Sequence, residues 1–255
     1  MQSAIIVTGA AQGIGAAVVS KLLQQNYHVI GIDKQPAPAN WPVQQMIAPQ
    51  YQHHWLGVSQ NITDFEETQI LLNTLIAQHH ITGLVNVAGI LILTPLLNAT
   101  ETQWQSSLNV NLLAPIFISQ HLARHFHQQQ HGSIVTVSSN SARMPRTQLG
   151  LYATTKAALS HFCRNLALEV APYVRVNIVS PGSTHTAMQQ QLWPDNQPPA
   201  SIINGDLNQY RLGIPLRKLA QPADIANTVS FLLSEQAAQI TMQEIVVDGG
   251  ATLGV

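Results

Sequence analysis

A tyrosine and a lysine one helical turn apart are the residues best suited to chemistry in this sequence. They are Tyr152 and Lys156, in the run Tyr152-Ala153-Thr154-Thr155-Lys156. Residues at i and i+4 lie on one face of a helix. A phenol ionises near pH ~10, too high for a base in neutral water. A nearby ammonium favours the phenolate and lowers that value. The spacing therefore predicts a general base, Tyr152, supported by Lys156. Upstream, Ser139 follows the β-branched run Ser133-Ile134-Val135-Thr136-Val137-Ser138. A hydroxyl at such a strand end can hydrogen-bond a substrate oxygen and stabilise the charge that develops on it.

A second constellation lies near the N-terminus. Thr8-Gly9-Ala10-Ala11-Gln12-Gly13-Ile14-Gly15 follows an apolar run and opens a helical pattern. Glycines there let the backbone approach a pyrophosphate, and the free N–H groups of the helix start attract its charge. The next apolar run, His28-Val29-Ile30-Gly31-Ile32, ends in Asp33. A carboxylate at that place accepts hydrogen bonds from ribose hydroxyls and repels a 2′-phosphate. The turn also carries neutral Gln12 and not a cation. Both features favour NAD over NADP.

These residues need elements to hold them. Short β-branched runs alternate with longer amphipathic stretches. The pattern predicts strands over residues 4–8, 28–33, 52–58, 83–86, 133–138, 175–179 and 244–248. Helices are predicted over 13–25, from the Asp64 N-cap to about 79, from Thr100, up to about 130, over 152–171 and over 222–233. Thr100 with Gln103 matches a capping box, and Pro115 marks a break or kink before the helix that ends near residue 130. The proline-bearing stretch 35–50 reads as loop. Strands separated by helices imply βαβ crossovers and a parallel sheet. The expected fold is α/β, a single doubly wound Rossmann-type domain over 1–255. It has a seven-stranded parallel sheet and helices on both faces. A substrate-loop insertion is expected at about 183–215, where Pro194, Pro198, Pro199 and Gly205 interrupt any regular pattern.

Composition narrows the classes. The 255 residues are 45% hydrophobic and only 9% charged, with 11 Lys+Arg against 12 Asp+Glu. Disorder requires the opposite balance, and a nucleic-acid binder requires a basic stripe. Neither nucleic acid nor membrane is an expected partner, since no run approaches the ~18 apolar residues of a span. One cysteine, Cys163, allows no intrachain disulfide. With a start that lacks a basic signal region, this predicts a cytoplasmic protein. Cys163 reads as a small buried hydrophobe. Eleven histidines invite a metal reading, but no zinc-protease pattern accompanies them. His121 and His125 are therefore taken as solvated helix residues, and no metal is expected.

Taken together, the chain resembles the short-chain dehydrogenase/reductase family over essentially its whole length. The resemblance rests on the TGAAQGIG turn, Asn86-Val87-Ala88-Gly89, Asn111 in LNVNL, Ser139, the YATTK helix and Pro181-Gly182. It implies an oxidoreductase with Tyr152 as general base and Lys156 on the nicotinamide ribose. Ser139 would position the reacting oxygen, and Asn111 would hold a proton-relay water. Implied cofactor contacts begin with Gly9, Gln12, Gly13, Ile14, Gly15 and Asp33. Asn61 would accept from the adenine amino group, with Ile62 beside it. Asn86, Ala88 and Gly89 would border the cofactor, and Pro181, Gly182 and Thr184 would meet the nicotinamide end. Family resemblance also implies a homotetramer, to which the apolar segment 251–255 could contribute.

The C-terminal third resembles one subfamily more narrowly. The pieces are Ser180-Pro181-Gly182-Ser183-Thr184, Leu212-Gly213-Ile214-Pro215-Leu216 and Glu244-Ile245-Val246-Val247-Asp248-Gly249-Gly250. Enzymes of that kind oxidise a cyclic diol acid to a catechol acid with NAD, in catechol siderophore biosynthesis. Such a small-molecule substrate needs a cation near its carboxylate. Between Ser139 and Tyr152 the chain offers Arg143 and Arg146, and the subfamily match points to Arg146. Leu91, Met188 and Gln189 are the remaining substrate-pocket expectations.

Overall fold

The computed structural model describes residues 3–193 and 197–254. Pro194 and residue 255 of the apolar C-terminal segment, which figured in the expectations above, lie outside the described residues. Seven strands form one parallel sheet: β1 Ala4–Thr8, β2 His28–Asp33, β3 Trp55–Ser59, β4 Ile81–Asn86, β5 Gly132–Val137, β6 Val174–Pro181 and β7 Glu244–Val247. Their order is β3-β2-β1-β4-β5-β6-β7. The chain steps outward from β1 to β3, then returns to β1's other side with β4. Thr8 is therefore in register with both Ile32 and Asn86. Where the order reverses, the carboxyl ends of the strands leave a crevice, the usual ligand site of such sheets.

Eight α-helices accompany the sheet among the described residues: α1 Gly13–Gln24, α2 Phe65–Gln78, α3 Glu101–Leu108, α4 Ala114–Gln128, α5 Gly150–Glu169, α6 Ala187–Gln190, α7 Ala200–Asn204 and α8 Pro222–Leu233. Successive strand residues point to opposite faces, and both faces are covered. Ile5, Val7, Val29, Val85 and Val135 pack with Val19 and Leu22 of α1 and Val229 of α8. Ala4, Ile6, Ile30, Leu84 and Ile134 pack with Leu72 of α2, Leu122 of α4 and Leu159 of α5. Each fully buried aliphatic side chain contributes about 1.5–3 kcal/mol, so both layers hold the strand ends in register. Cys163 belongs to the second layer.

Three stretches differ from the sequence expectations. The proline-bearing stretch is not open loop: Pro38, Pro42 and Pro49 each open a 3₁₀ turn, the last running to His54. The third strand accordingly begins at Trp55, not residue 52. The connection before α4 is a π-turn, Asn109–Leu113, with Pro115 in the first turn of α4. The expected substrate loop is partly regular. It carries α6, α7 and a small core of its own made by Trp193, Ile202 and Ile214, because its apolar residues find one another once the chain doubles back.

Candidate active site

The carboxyl ends of the strands open into a cleft of about 950 Å³. Two close approaches shape its phosphate end. A Cβ on Gly9 would lie 2.8 Å from the backbone of Ala88, and one on Gly15 would lie 2.0 Å from the Gly9 carbonyl. Gly9 and Gly13 both have positive φ, 68° and 59°. A Cβ on Gly13 would meet nothing nearer than Thr186 Cγ2 at 3.7 Å, an ordinary van der Waals contact, so it is the positive φ that favours glycine there. Gln12 precedes α1 without a capping side-chain bond, and no acidic residue stands in the first turn. The start of α1 thus offers uncapped N–H groups and its positive dipole end to an anion.

Asp33 ends β2 beside this turn. Its carboxylate accepts from the Ala11 N–H at 3.1 Å and from the Gln35 N–H at 3.1 Å. Those bonds fix it at the rim of the cleft, which it lines together with exposed Lys34. Thr8 is buried, and its hydroxyl accepts from the Val87 and Ala88 N–H groups at 3.2 and 3.3 Å. It holds the chain that carries Ala88 and Gly89 against the cleft. At the opposite wall a Cβ on Gly182 would lie 2.5 Å from Asp248 Cβ, so only glycine lets the chain leave β6 there. Pyrophosphate cradle, carboxylate and close-packed floor fit a dinucleotide.

Ser139, Tyr152 and Lys156 meet at the centre of the cleft. Ser138 bolts the end of β5 to α5. Its hydroxyl donates to the Lys156 carbonyl at 3.2 Å and lies 2.7 Å from the Ser160 hydroxyl. Ser139 Oγ accepts from both the N–H and the hydroxyl of Ser141, at 3.2 and 2.9 Å. Its own proton is then left free for a ligand oxygen, and its nearness to Tyr152 favours the ionised phenol. Lys156 is buried, donates to the Val137 carbonyl at 2.9 Å, and holds Nζ 5.8 Å from the Tyr152 ring centroid.

The electrostatics correct one expectation. Burial pushes the Tyr152 phenol up to about 12, and the Ser139 hydrogen bond only partly opposes it. Burial likewise pulls the Lys156 ammonium down to about 8. Tyr152 therefore lies above its ordinary value, because desolvation disfavours the charged phenolate.

Most of the expected site residues line this one cleft, among them Gly9, Gln12, Gly13, Ile14, Gly15, Asn61, Ile62, Thr184, Leu91, Met188 and Gln189. Asn86 and Asn111 do not. Asn86 is buried below the floor, donating to Ser119 and Thr136 at 2.9 and 3.2 Å. Asn111 is fully buried in the π-turn. It accepts from the Ile90 N–H at 2.8 Å and donates to the Ile90 carbonyl at 2.9 Å, so its side chain clamps backbone. Asn61 Oδ1 already receives the Thr63 N–H and hydroxyl at 3.3 and 3.0 Å, which leaves less of it for an adenine. The two arginines separate cleanly. Arg143 turns away to Glu244, while Arg146 lines the cleft. Sequence reasoning missed Arg211, which lines the same cleft from the segment between α7 and α8. No motif marks it, and only the scarcity of cations in the chain would have drawn attention to it.

Comparison with known proteins agrees with this geometry. Residues 3–197 match the short chain dehydrogenase family. A 2,3-dihydro-2,3-dihydroxybenzoate dehydrogenase of Bacillus subtilis (strain 168) is 41% identical over 98% of this chain and 95% of its own. A vibriobactin-specific 2,3-dihydro-2,3-dihydroxybenzoate dehydrogenase of Vibrio cholerae is 38% identical over 99% and 97%. The solved structure of ElxO with NADP bound superposes with a TM-score of 0.88 at 24% identity, covering 99% of this chain and all of that one. With a glycine cradle, a serine–tyrosine–lysine cluster and full-length relatives of one kind, this chain belongs to the short-chain dehydrogenase family.

Proposed function

We propose that this chain oxidises 2,3-dihydro-2,3-dihydroxybenzoate to 2,3-dihydroxybenzoate with NAD, a step of catechol siderophore biosynthesis. One observation carries the reading. Ser139 and Tyr152 share their cleft with Arg146, a half-buried guanidinium that has no ion pair among the described residues. An uncharged alcohol would give that cation nothing to do, whereas a carboxylated diol gives it a partner. Relatives of that name at 41% and 38% identity support the same substrate.

The chain's own residues then divide the work. Ser139 donates to the ring oxygen that reacts and holds it beside the Tyr152 phenol. Tyr152, ionised, takes the hydroxyl proton. Lys156 supplies the positive charge that favours the ionised phenol. Bound NAD would supply the hydride acceptor. The C–H bond gives up its hydride as the O–H bond gives up its proton, which leaves a ring ketone. Enolisation of that ketone to an aromatic catechol draws the oxidation forward. Asp33 would accept the adenosine ribose hydroxyls and disfavour a 2′-phosphate. Exposed apolar residues on α4 and α5, Phe117 and Leu168, are consistent with association into a homotetramer.

The test is NADH formation with the diol acid, with its non-carboxylated analogue, and with Tyr152→Phe as control. The wild type should prefer the acid, and the variant should lose roughly 10²–10⁴-fold in kcat. Equal rates in both proteins would remove Tyr152 from the chemistry. Equal use of acid and analogue would remove the substrate assignment.

A further inference from the structure

Several cations of this chain have partners in the fold. Arg143 and Arg164 both pair with Glu244. Arg175 donates to the carbonyls of Leu232, Leu233 and Ser234 at the end of α8. Lys156 is held by Val137. Arg146 and Arg211 are different. Both are half-buried and both line the cleft. Among the described residues neither guanidinium makes a hydrogen bond or an ion pair.

The charge of Arg211 also reaches Arg146. Burial lowers the pKa of each, and the charge of Arg211 lowers that of Arg146 further, against a smaller raising effect of Asp248. Asp206 alone offsets the burial of Arg211. Two like charges brought together in a half-buried wall, with no carboxylate bonded to either, are unfavourable until an anion joins them.

Arg211 is placed by a built segment. Its N–H donates to the Asp206 carbonyl at 2.9 Å, and the Asp206 N–H donates back to the Arg211 carbonyl at 2.8 Å. Gly205 and Gly213 flank this small turn with φ of 91° and 85°. A Cβ on Gly205 would lie 2.7 Å from the Arg211 carbonyl. Next to it, Ile202 and Ile214 pack with Trp193.

We propose that Arg211 is a second anchor for the substrate's acid group, forming with Arg146 a two-arginine clamp for one carboxylate. The proposal rests on the reading that the substrate is an acid. A carboxylate has two oxygens and about four acceptor positions, enough for two guanidiniums. The clamp would make acid recognition depend on the segment between β6 and α8 as well as on the loop before Tyr152.

The test compares wild type, Arg211→Gln, Arg211→Lys and Arg146→Gln, with exposed Lys218→Gln as a charge control. Steady-state rates are measured with the diol acid and its non-carboxylated analogue. Equilibrium titrations use benzoate, benzamide and NADH as probes. Arg211→Gln should raise KM for the acid and weaken benzoate by roughly ten- to a hundredfold, the range for a hydrogen bond to a charged group. Benzamide, NADH and the analogue should be unaffected, Arg211→Lys should fall between, and Lys218→Gln should match wild type. Unchanged benzoate binding in Arg211→Gln would overturn the clamp, and so would an equal loss of NADH binding, which would assign Arg211 to the cofactor. A wild type that shows no preference for the acid would instead defeat the functional reading. In that case benzoate binding lost with Arg211 would still uphold the clamp, and benzoate binding insensitive to both arginines would end it.

Discussion

On the proposed reading, Asp33 is the side chain that would favour NAD over NADP. Two backbone N–H groups hold its carboxylate at the rim of the cleft, where a 2′-phosphate would meet like charge. Replacing it by Asn keeps the shape and removes the charge. Asp33→Asn should therefore shift the ratio of kcat/KM for NAD over NADP by roughly tenfold or more toward NADP, about 1.4 kcal/mol. An unchanged ratio would place discrimination elsewhere, with exposed Lys34 the next residue to replace. Tyr152 and Lys156 make a pH statement at the same scale. Tyr152 sits at about 12 and must lose a proton before it acts as a base, so oxidation should accelerate as pH rises from neutrality. The gain should level off as Lys156 loses its charge near about 8. A profile of kcat/KM against pH reports free-enzyme groups. The same break persisting in Lys156→Ala would rule Lys156 out as its source.

At the scale of elements, the π-turn Asn109–Leu113 matters most. It places Asn111 where both polar ends of its side chain clamp Ile90, and a Cβ on Gly89 would approach Asn111 Oδ1 to 3.2 Å. Asn111 was expected to hold a relay water, and its side chain also holds the cleft floor. π-Turns are frequent at functional sites because the ladder shifts locally. Asn111→Ala would leave the Ile90 N–H and carbonyl without partners, at about 1–3 kcal/mol for each such group. Urea unfolding should show a loss of about 2–4 kcal/mol, and NADH binding should weaken with it. Full stability in this variant would mean that Ile90 finds other partners. The capping box of Thr100 and Gln103 was legible from sequence and is present, since its bonds are local. The π-turn was not legible, because a single extra residue per turn leaves no periodic trace.

For the whole molecule, the end of the sheet away from the cleft sets the acid limit. His28 begins β2, and its ring lies 6.3 Å from that of His54 and 5.4 Å from that of His79. Burial first, then the charges of His79, His54 and His53, lower its pKa below 6.5. His121 and His125 are lowered too, chiefly by burial. They are half-buried and not the solvated pair that helical spacing suggested, because α4 tilts that side of its surface toward neighbouring elements. A histidine with a depressed folded-state pKa binds its proton more tightly when unfolded. The stability it contributes is complete above 6.5 and is lost as pH falls through the lower folded value. Thermal stability should therefore fall as pH drops from 7 to about 5, and His28→Gln should flatten that decline. A melting temperature independent of pH in this window would contradict the assignment.

The sequence by itself determined the parallel α/β architecture, the glycine cradle, Asp33 and the Ser139–Tyr152–Lys156 set. All of these are written in short-range patterns: alternation, helical spacing and turn glycines. Tertiary structure decided what depends on residues distant in the chain. It turned Arg143 to Glu244 and Arg146 to the cleft, brought Arg211 to the same wall, and placed Asn86 and Asn111 beneath the floor as supports. It also decided that the Tyr152 phenol is raised and not lowered. Burial is a property of the packed molecule, and no local spacing encodes how much water a side chain loses.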